Sequence, residues 1–397
     1  MGNNVELLAP AGSFEKLKLA IGYGADAVYF GGELFNLRAR SKNFTIDKIS
    51  NAMNYLHKRN KKGYLTLNIY PRNNDLNDIE NYLKKIAQLN VDAIIVSTLG
   101  VLKLVKNILP DMEIHVSTQA NITDIETADM WYKLGAKRAI LARELSINEI
   151  KQFVDKSKID TEIFIHGAMC MAYSGRCLLS KYMTGRDANR GDCAHPCRWK
   201  YYVREEKRKE ELFEISEDES GLYIFNSKDL MLWDYIPSLM DIGIKSFKIE
   251  GRIKGILYLT TVIRSYRLLI DSILSKNNHK KRKKWRNMLF EANNRGYHEG
   301  FISGPDGYES NIKSSRTFSD YRILGYIDET GEFIAKAPFE PGEKYDYFEP
   351  GKKQGSIKVI SIVDLDGKTV KKAKPGRTYK VTFDKSIKKF SVLRYKR

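Results

Sequence analysis

Cys170, Cys177, Cys193 and Cys197 are the only cysteines in a chain of 397 residues, and residues 170–197 hold every one of them. Six, fifteen and three residues separate successive members of the set. Thiolates ligate soft metals and act as nucleophiles, so the window has several chemical readings. Structural zinc sites favour close C-x2-C-like pairs, which these spacings fit poorly. Four thiolates reaching in from an irregular loop suit a cuboidal 4Fe–4S cluster, whose four irons each present one open corner. Gly167, Gly175 and Gly191 would let the backbone wrap closely around it. Zinc through the same thiols is the second reading, and a thiol nucleophile served by His166 or His195 is the third. Packing alone does not explain why all the cysteines share one Gly-rich loop. With so few cysteines a disulfide framework is not expected, and the protein reads as reduced and cytoplasmic.

The elements that must position this loop follow from hydrophobic period. Short apolar runs at Val5–Ala9, Asp26–Gly31, Tyr64–Ile69, Ala93–Ser97, Glu113–Ser117, Arg138–Ala142, Glu162–His166 and Lys245–Ile249 read as strands. Between them lie helix-period segments such as "SFEKLKLAIGYG" and "DLNDIENYLKKIAQL" with Ser or Asp caps. Eight strands in βα alternation predict a TIM-type (β/α)8 barrel. An open doubly wound sheet is the alternative, but no G-x-G-x-x-G marks the first turn. A barrel's chemistry belongs at the C-terminal ends of its strands. Those ends carry Pro10 and Gly12, Gly31 to Glu33, Asn68, Thr98, Gln119, Arg143 and Glu144, His166 to Cys170, and Lys248, Glu250 and Arg252. Polar residues recurring at one end of so many apolar strands favour a site there. The seventh connection is far too long, and long insertions on this face usually carry function. Its first part holds the cysteines, and "KYYVREEKRKEELFEISEDESGLYIF" reads as a charged hairpin.

The rest of the chain divides by composition. An apolar fraction of 42% with 11% aromatics describes a globular protein. The sequence reading places residues 1–276 in the barrel with its insertion at 167–244, 277–317 in a basic helical linker, and 318–397 in a small β-barrel. That last segment alternates with period 2 and has T-G, D-G and P-G turns. No apolar run is long enough for a membrane span, and the N-terminus lacks the pattern of a signal peptide. A formal charge of +18, from 67 Lys and Arg against 49 Asp and Glu, points to an anionic partner, most often nucleic acid.

The segment "EIFIHGAMCMAYSGRCLLSKYMTGRDANRGDCAHPCRWKYYV" closely resembles the signature of a family catalogued as collagenase-like peptidases. "ELLAPAGSFEKLKLAIGYGADAVYFGG", "FNLRARSKNFT", "VSTQANITD", "NSKDL", "KSFKIEGRIKG" and "NRGYHEGFISG" extend the resemblance along almost the whole chain. Length and C-terminal barrel look most like the branch that hydroxylates tRNA. The resemblance implies 5-hydroxyuridine formation at the wobble position, using prephenate and no molecular oxygen. It also implies an iron–sulfur cluster on Cys170, Cys177, Cys193 and Cys197, and it leaves open a paralogous partner or a homo-oligomer. Where some relatives have a cysteine after "KDL", this chain has Met231.

Prephenate carries two carboxylates, and its pocket should offer cations at strand ends. Arg38, Arg40, Arg143, Lys248 and Arg252 are the candidates, with bidentate pairing favouring Arg; Asn68 and Gln119 join them as polar substrate contacts. Glu250, Glu144 and His166 are the candidate proton-transfer groups. For RNA, "KKRKKWR" supplies phosphate contacts through Lys280, Lys281, Arg282, Lys283 and Lys284, and the basic edge "GKTVKKAKPGRTYK" adds more. Arg198 and Trp199, beside the cysteine loop, are placed to meet a splayed base, although packing beneath the loop competes for Trp199. Two other classes stand beside this reading. A collagenase-like peptidase finds little support in the motifs, since "YHEGFI" puts Ile302 where H-E-x-x-H needs its second His and no G-x-S-x-G occurs. A non-catalytic RNA-binding protein with structural zinc would show no turnover.

Overall fold

The computed structural model describes residues 5–37, 43–199, 217–218, 221–222, 227–276, 279–304, 309 and 317–396. Arg38, Arg40 and most of the charged hairpin lie outside the described residues, although Glu217–Asp218 does pair antiparallel with Gly221–Leu222.

Eight parallel strands form one sheet: β1 (Glu6–Pro10), β2 (Ala27–Gly31), β3 (Lys62–Leu67), β4 (Ala93–Val96), β5 (Glu113–Val116), β6 (Arg138–Ile140), β7 (Asp160–Ala168) and β8 (Ser246–Ile249). Each pairs with its successor, and β8 also pairs with β1, so the sheet closes into the expected (β/α)8 barrel. Every residue of β2 and β4 is buried. Helices cover a parallel barrel from outside and side chains fill it from within, so its strands read as unbroken apolar runs. Caps start the helices soon after the strands end. Thr98 accepts a hydrogen bond from the Val101 N–H, Asp124 accepts one from the Thr127 N–H, and Ser146 and Glu149 form a capping box.

Strand β7 outgrows the barrel. Beyond the closing register with β8, its last residues pair antiparallel with Asp229–Met231, bringing Ala168 opposite Asp229 and His166 opposite Met231. The antiparallel strand escapes a sequence reading because it is three residues long and its partner lies far upstream. This extension carries the chain out to Cys170. A bulge between Lys248 and Ile249 lets the Glu250 N–H reach the His166 carbonyl at 2.8 Å. Gly167 holds φ at +115°, and a Cβ there would lie 2.5 Å from the Glu250 carbonyl oxygen. Gly167→Ala is therefore expected to destabilise the protein by about 2 kcal/mol or more, read from urea unfolding, because neither the backbone angle nor the neighbouring backbone yields easily.

The second compact unit gathers Lys18–Ala25, Lys254–Asn293 and Phe318–Arg397. This division by contacts differs from the one drawn from composition. Ile256–Leu274 and His279–Glu291 belong with the small barrel, whereas Asn294–Thr317 belongs with the large one. The reason lies in one buried cation. The Arg264 guanidinium donates to the carbonyls of Gly351 at 2.7 Å and Lys353 at 3.2 Å and to Gln354 Oε1 at 3.0 Å. Six antiparallel strands close the small barrel around Leu324, Phe333, Phe339, Val359 and Leu393. Lys280, Lys281, Lys283 and Lys284 are exposed on the second helix, and Trp285 is buried. No helix among the described residues is long and apolar enough to cross a membrane.

Candidate active site

A cavity of about 390 Å³ is lined by the C-terminal ends of the barrel strands and by the loop after β7. All four cysteines line it. Arg143 fixes the start of that loop, donating from Nη1 to the Ala168 carbonyl at 2.7 Å and from Nη2 to Ser174 Oγ at 2.8 Å. Further on, Arg190 pairs with both oxygens of Asp75 at 2.6 and 2.9 Å, which holds that carboxyl down at about 2. The Tyr70 N–H donates to the Asn189 carbonyl at 3.0 Å, and Asn189 Nδ2 donates to the Cys177 carbonyl at 3.3 Å. The loop has a short helix, Leu179–Thr184, and 3-10 turns at Ala188–Arg190 and Pro196–Arg198, and the barrel rim supplies hydrogen bonds to the irregular backbone between them.

Burial pushes the Cys197 thiol up to about 11 against the opposing charge of Arg198, and Cys170, Cys193 and Cys177 raise it further. Among the described residues, no three His, Cys, Asp or Glu side chains converge tightly enough to hold a single metal ion. A cuboidal cluster asks for something different, since each of its corners takes one thiolate and the four are spread around it. Four soft donors sharing one cavity wall fit that demand. Met231 is buried opposite His166 and is not among the described residues lining the cavity.

The remaining charge is lopsided. Arg143, Arg176, Arg198, Lys248 and Arg252 line the cavity, and Glu250 is the one carboxylate among the described lining residues. Lys248 is buried, its ammonium 2.9 Å from Glu162 Oε1 and over the Tyr29 ring at 4.5 Å. Glu162 belongs to an internal charge layer in the barrel. Arg138 Nη1 bonds Glu162 at 3.0 Å and Glu6 at 2.7 Å, and Tyr64 donates to Glu6 at 2.6 Å. Burial raises the Glu162 carboxyl, but Lys248, Arg138 and His115 outweigh it and hold the group at about 2. Arg252 is fixed by Thr66 Oγ1 at 3.1 Å, Asn36 Oδ1 at 2.5 Å and Asn43 Oδ1 at 3.0 Å. Glu250 accepts from the Tyr29 hydroxyl at 3.1 Å. With Lys248 neutralised by Glu162, the cavity keeps an excess of cations and suits an anion.

The cavity thus unites Asn68, Gln119, Arg143, Lys248, Glu250, Arg252, Arg198 and the four cysteines. It does not include Glu144 or His166. Glu144 is half-buried with its carboxyl raised by burial against the pull of Arg143. The His166 ring is buried, 5.1 Å from that of Tyr297. Pairing of Cys170 with a His166 base is thus not supported by the cavity wall; His195 lines the cavity, and its backbone N–H, not its ring, donates to Cys193 Sγ at 3.3 Å. Trp199 is 43% exposed, so it is not packed away beneath the loop. Lys280 to Lys284 belong to the other compact unit. Arg176, Tyr29, Thr66 and Ser117 line the cavity, and position at a strand end does not single them out in the sequence. For Arg176, its place between Gly175 and Cys177 is the available signal.

Peptidase family U32 matches residues 12–312 of the chain. A Bacillus subtilis protein named tRNA hydroxylation protein P1 is 36% identical over 398 residues, covering 98% of this chain and 94% of its own. The Helicobacter pylori tRNA hydroxylation protein P is 40% identical over 343 residues, covering 84% of this chain and 80% of its own. A protein of Methanocaldococcus jannaschii named an uncharacterized protease is 38% identical over 367 residues, covering 91% and 83%.

Proposed function

Since the chain belongs to Peptidase family U32, we propose that it is an RNA-modifying enzyme that converts a tRNA wobble uridine to 5-hydroxyuridine, with prephenate as co-substrate and a 4Fe–4S cluster on Cys170, Cys177, Cys193 and Cys197. The observation that carries this reading is one cavity at the barrel mouth lined by all four thiols and by an excess of cations. Two relatives that match most of the chain are named for tRNA hydroxylation, which supports the choice of substrate.

The reaction balances without molecular oxygen. The base exchanges its C5–H for C5–OH and loses two electrons. The prephenate ring carbon that bore the hydroxyl gains that hydrogen and the same electron pair. When bound on the four thiolates, the cluster would supply electron transfer. The chain's own residues do the rest. Arg252, held rigid by three oxygen acceptors, Arg176 and Arg198 attract the two carboxylates of prephenate. Arg143 positions the cysteine loop through Ala168 and Ser174 and is a positioning residue. Glu250, oriented by Tyr29, is the cavity's carboxylate and the group suited to carry the C5 proton.

The test is an incubation of anaerobically purified protein with unmodified tRNA, with and without prephenate, followed by nucleoside mass spectrometry. The reading expects 5-hydroxyuridine only when prephenate is present; no hydroxylated nucleoside from iron-loaded protein would overturn it. The peptidase reading rests on the family description, and cleavage of a collagen peptide by metal-stripped protein is the result that would favour it.

The exposed lysines of the helix His279–Glu291 are the phosphate contacts of this reading. Replacing Lys280, Lys281, Lys283 and Lys284 with Ala should weaken tRNA binding by about tenfold or more at low salt. The slope of log affinity against log salt should shrink by roughly 0.7 to 0.9 for each phosphate that the helix no longer neutralises. A filter-binding salt series reads both, and an unchanged slope would remove this helix from the RNA interface.

A further inference from the structure

Two amide oxygens in the cavity wall lack partners. Asn68 Oδ1 and Gln119 Oε1 are buried and accept no hydrogen bond among the described residues. Both side chains line the cavity, from the loops after β3 and β5. Native proteins rarely leave buried acceptors unsatisfied, and two in one cavity wall call for a ligand that donates to them.

Their surroundings fix which atoms are left over. Asn68 Nδ2 donates to Ser117 Oγ at 3.2 Å, and the Gln119 backbone N–H approaches the same oxygen at 3.3 Å. The Ser97 hydroxyl holds the Asn68 carbonyl at 2.9 Å, and the Tyr70 hydroxyl donates to the Gln119 carbonyl. Both backbone carbonyls and the Asn68 amino group are thus engaged by the protein, while the two side-chain oxygens are buried without a partner among the described residues. Gln119 Oε1 also lies close to the cysteine loop, since a Cβ at Gly175 would sit 2.6 Å from it. Tyr173 of the same loop lines the cavity and is 47% exposed, presenting an aromatic face to solvent. An everted base is read by just such a combination, stacking on an aromatic face and hydrogen bonds along its Watson–Crick edge.

We propose that Asn68 and Gln119 are the base-reading residues of this cavity, their side-chain oxygens accepting from the N–H of an everted pyrimidine's Watson–Crick edge. Uracil has one such donor, its N3–H, which the two oxygens share as a three-centre bond; cytosine has the two hydrogens of its 4-amino group. This inference rests on the RNA-modification reading above. It adds that selectivity for the base comes from the walls after β3 and β5, separate from the cations that take the acid.

The test measures binding of anticodon stem-loops to the full-length, iron-loaded protein. Four loops differ only at the target position, which carries uridine, N3-methyluridine, cytidine or an abasic ribose. Methylating N3 removes the donor and leaves the ring, so the wild type should bind N3-methyluridine about tenfold more weakly than uridine and close to the abasic loop. Cytidine binding as tightly as uridine would assign the 4-amino group as the donor. Gln119→Met and Asn68→Leu should bind uridine and N3-methyluridine within about twofold of each other. Because the methylated probe acts on the wild type, the test does not depend on the variants folding. Uridine and N3-methyluridine loops bound alike by the wild type, both above the abasic loop, would overturn this inference and leave the RNA reading standing. No preference for any stem-loop over an unrelated duplex would overturn both.

Discussion

Cys177→Ala should yield a protein that folds, binds tRNA and holds no cluster, with its tRNA hydroxylation reduced by more than about a hundredfold. That exceeds the ten- to hundredfold that losing a supporting partner of a metal ligand typically costs. The chain has four cysteines, all four line one cavity, and Met231 offers no replacement donor there. A four-thiolate site therefore has no spare ligand. Arg143 and Arg190 anchor the loop through bonds that do not involve Cys177 Sγ, so the barrel should survive the change. Iron and sulfide analysis beside the visible spectrum reads the loss directly. Trp199→Ala, which alters an exposed side chain outside the cavity lining, is the matched control and should retain its iron. Full iron content in Cys177→Ala would dismiss this thiol as a ligand.

Arg138→Met should produce the largest loss of stability, about 3 to 5 kcal/mol, because it takes the cation from half-buried Glu6 and one of two cations from buried Glu162. Glu162 would keep only Lys248 as its bonded cation, and Glu6 would keep only hydroxyl donors from Tyr64 and Ser246. The same layer sets an acid dependence in the wild type. Glu162 is held at about 2 in the folded protein against an ordinary value of 4.5. Its folded value is the lower one, so its contribution, on the order of 3 kcal/mol, is fully present above pH 4.5. That contribution is lost as pH falls from there through about 2. Urea unfolding at pH 7 and at steps below pH 5 measures both effects. A variant as stable as the wild type at pH 7 would mean that the charge layer is not what holds this end of the barrel.

The eight barrel strands are legible in the sequence to within about two residues at nearly every end, because parallel strands buried on both faces are predominantly apolar. Asn68, Gln119, Arg143, Glu250 and Arg252 were findable from position alone, since strand ends of one barrel face converge. The same rule named His166 and Glu144, which the cavity does not include, because position says nothing about which way a side chain leaves the rim. The charge layer was not legible. Glu6, Arg138 and Glu162 sit at or near the starts of strands far apart in the chain, where a charged residue looks like a solvated end. Only the closed register, with Ser246 opposite both Glu6 and Glu162, brings them together. The division between units failed at Arg264 for a similar reason, since its partners are carbonyls some ninety residues on.

The central claim is that one cavity couples an iron–sulfur site to oxidation of a tRNA base. Its most direct measurement is nucleoside mass spectrometry of tRNA from a strain lacking this gene, complemented with the wild type or with Cys177→Ala, grown without oxygen. The account predicts 5-hydroxyuridine restored by the wild type alone. Equal 5-hydroxyuridine with either gene, or with neither, would contradict it.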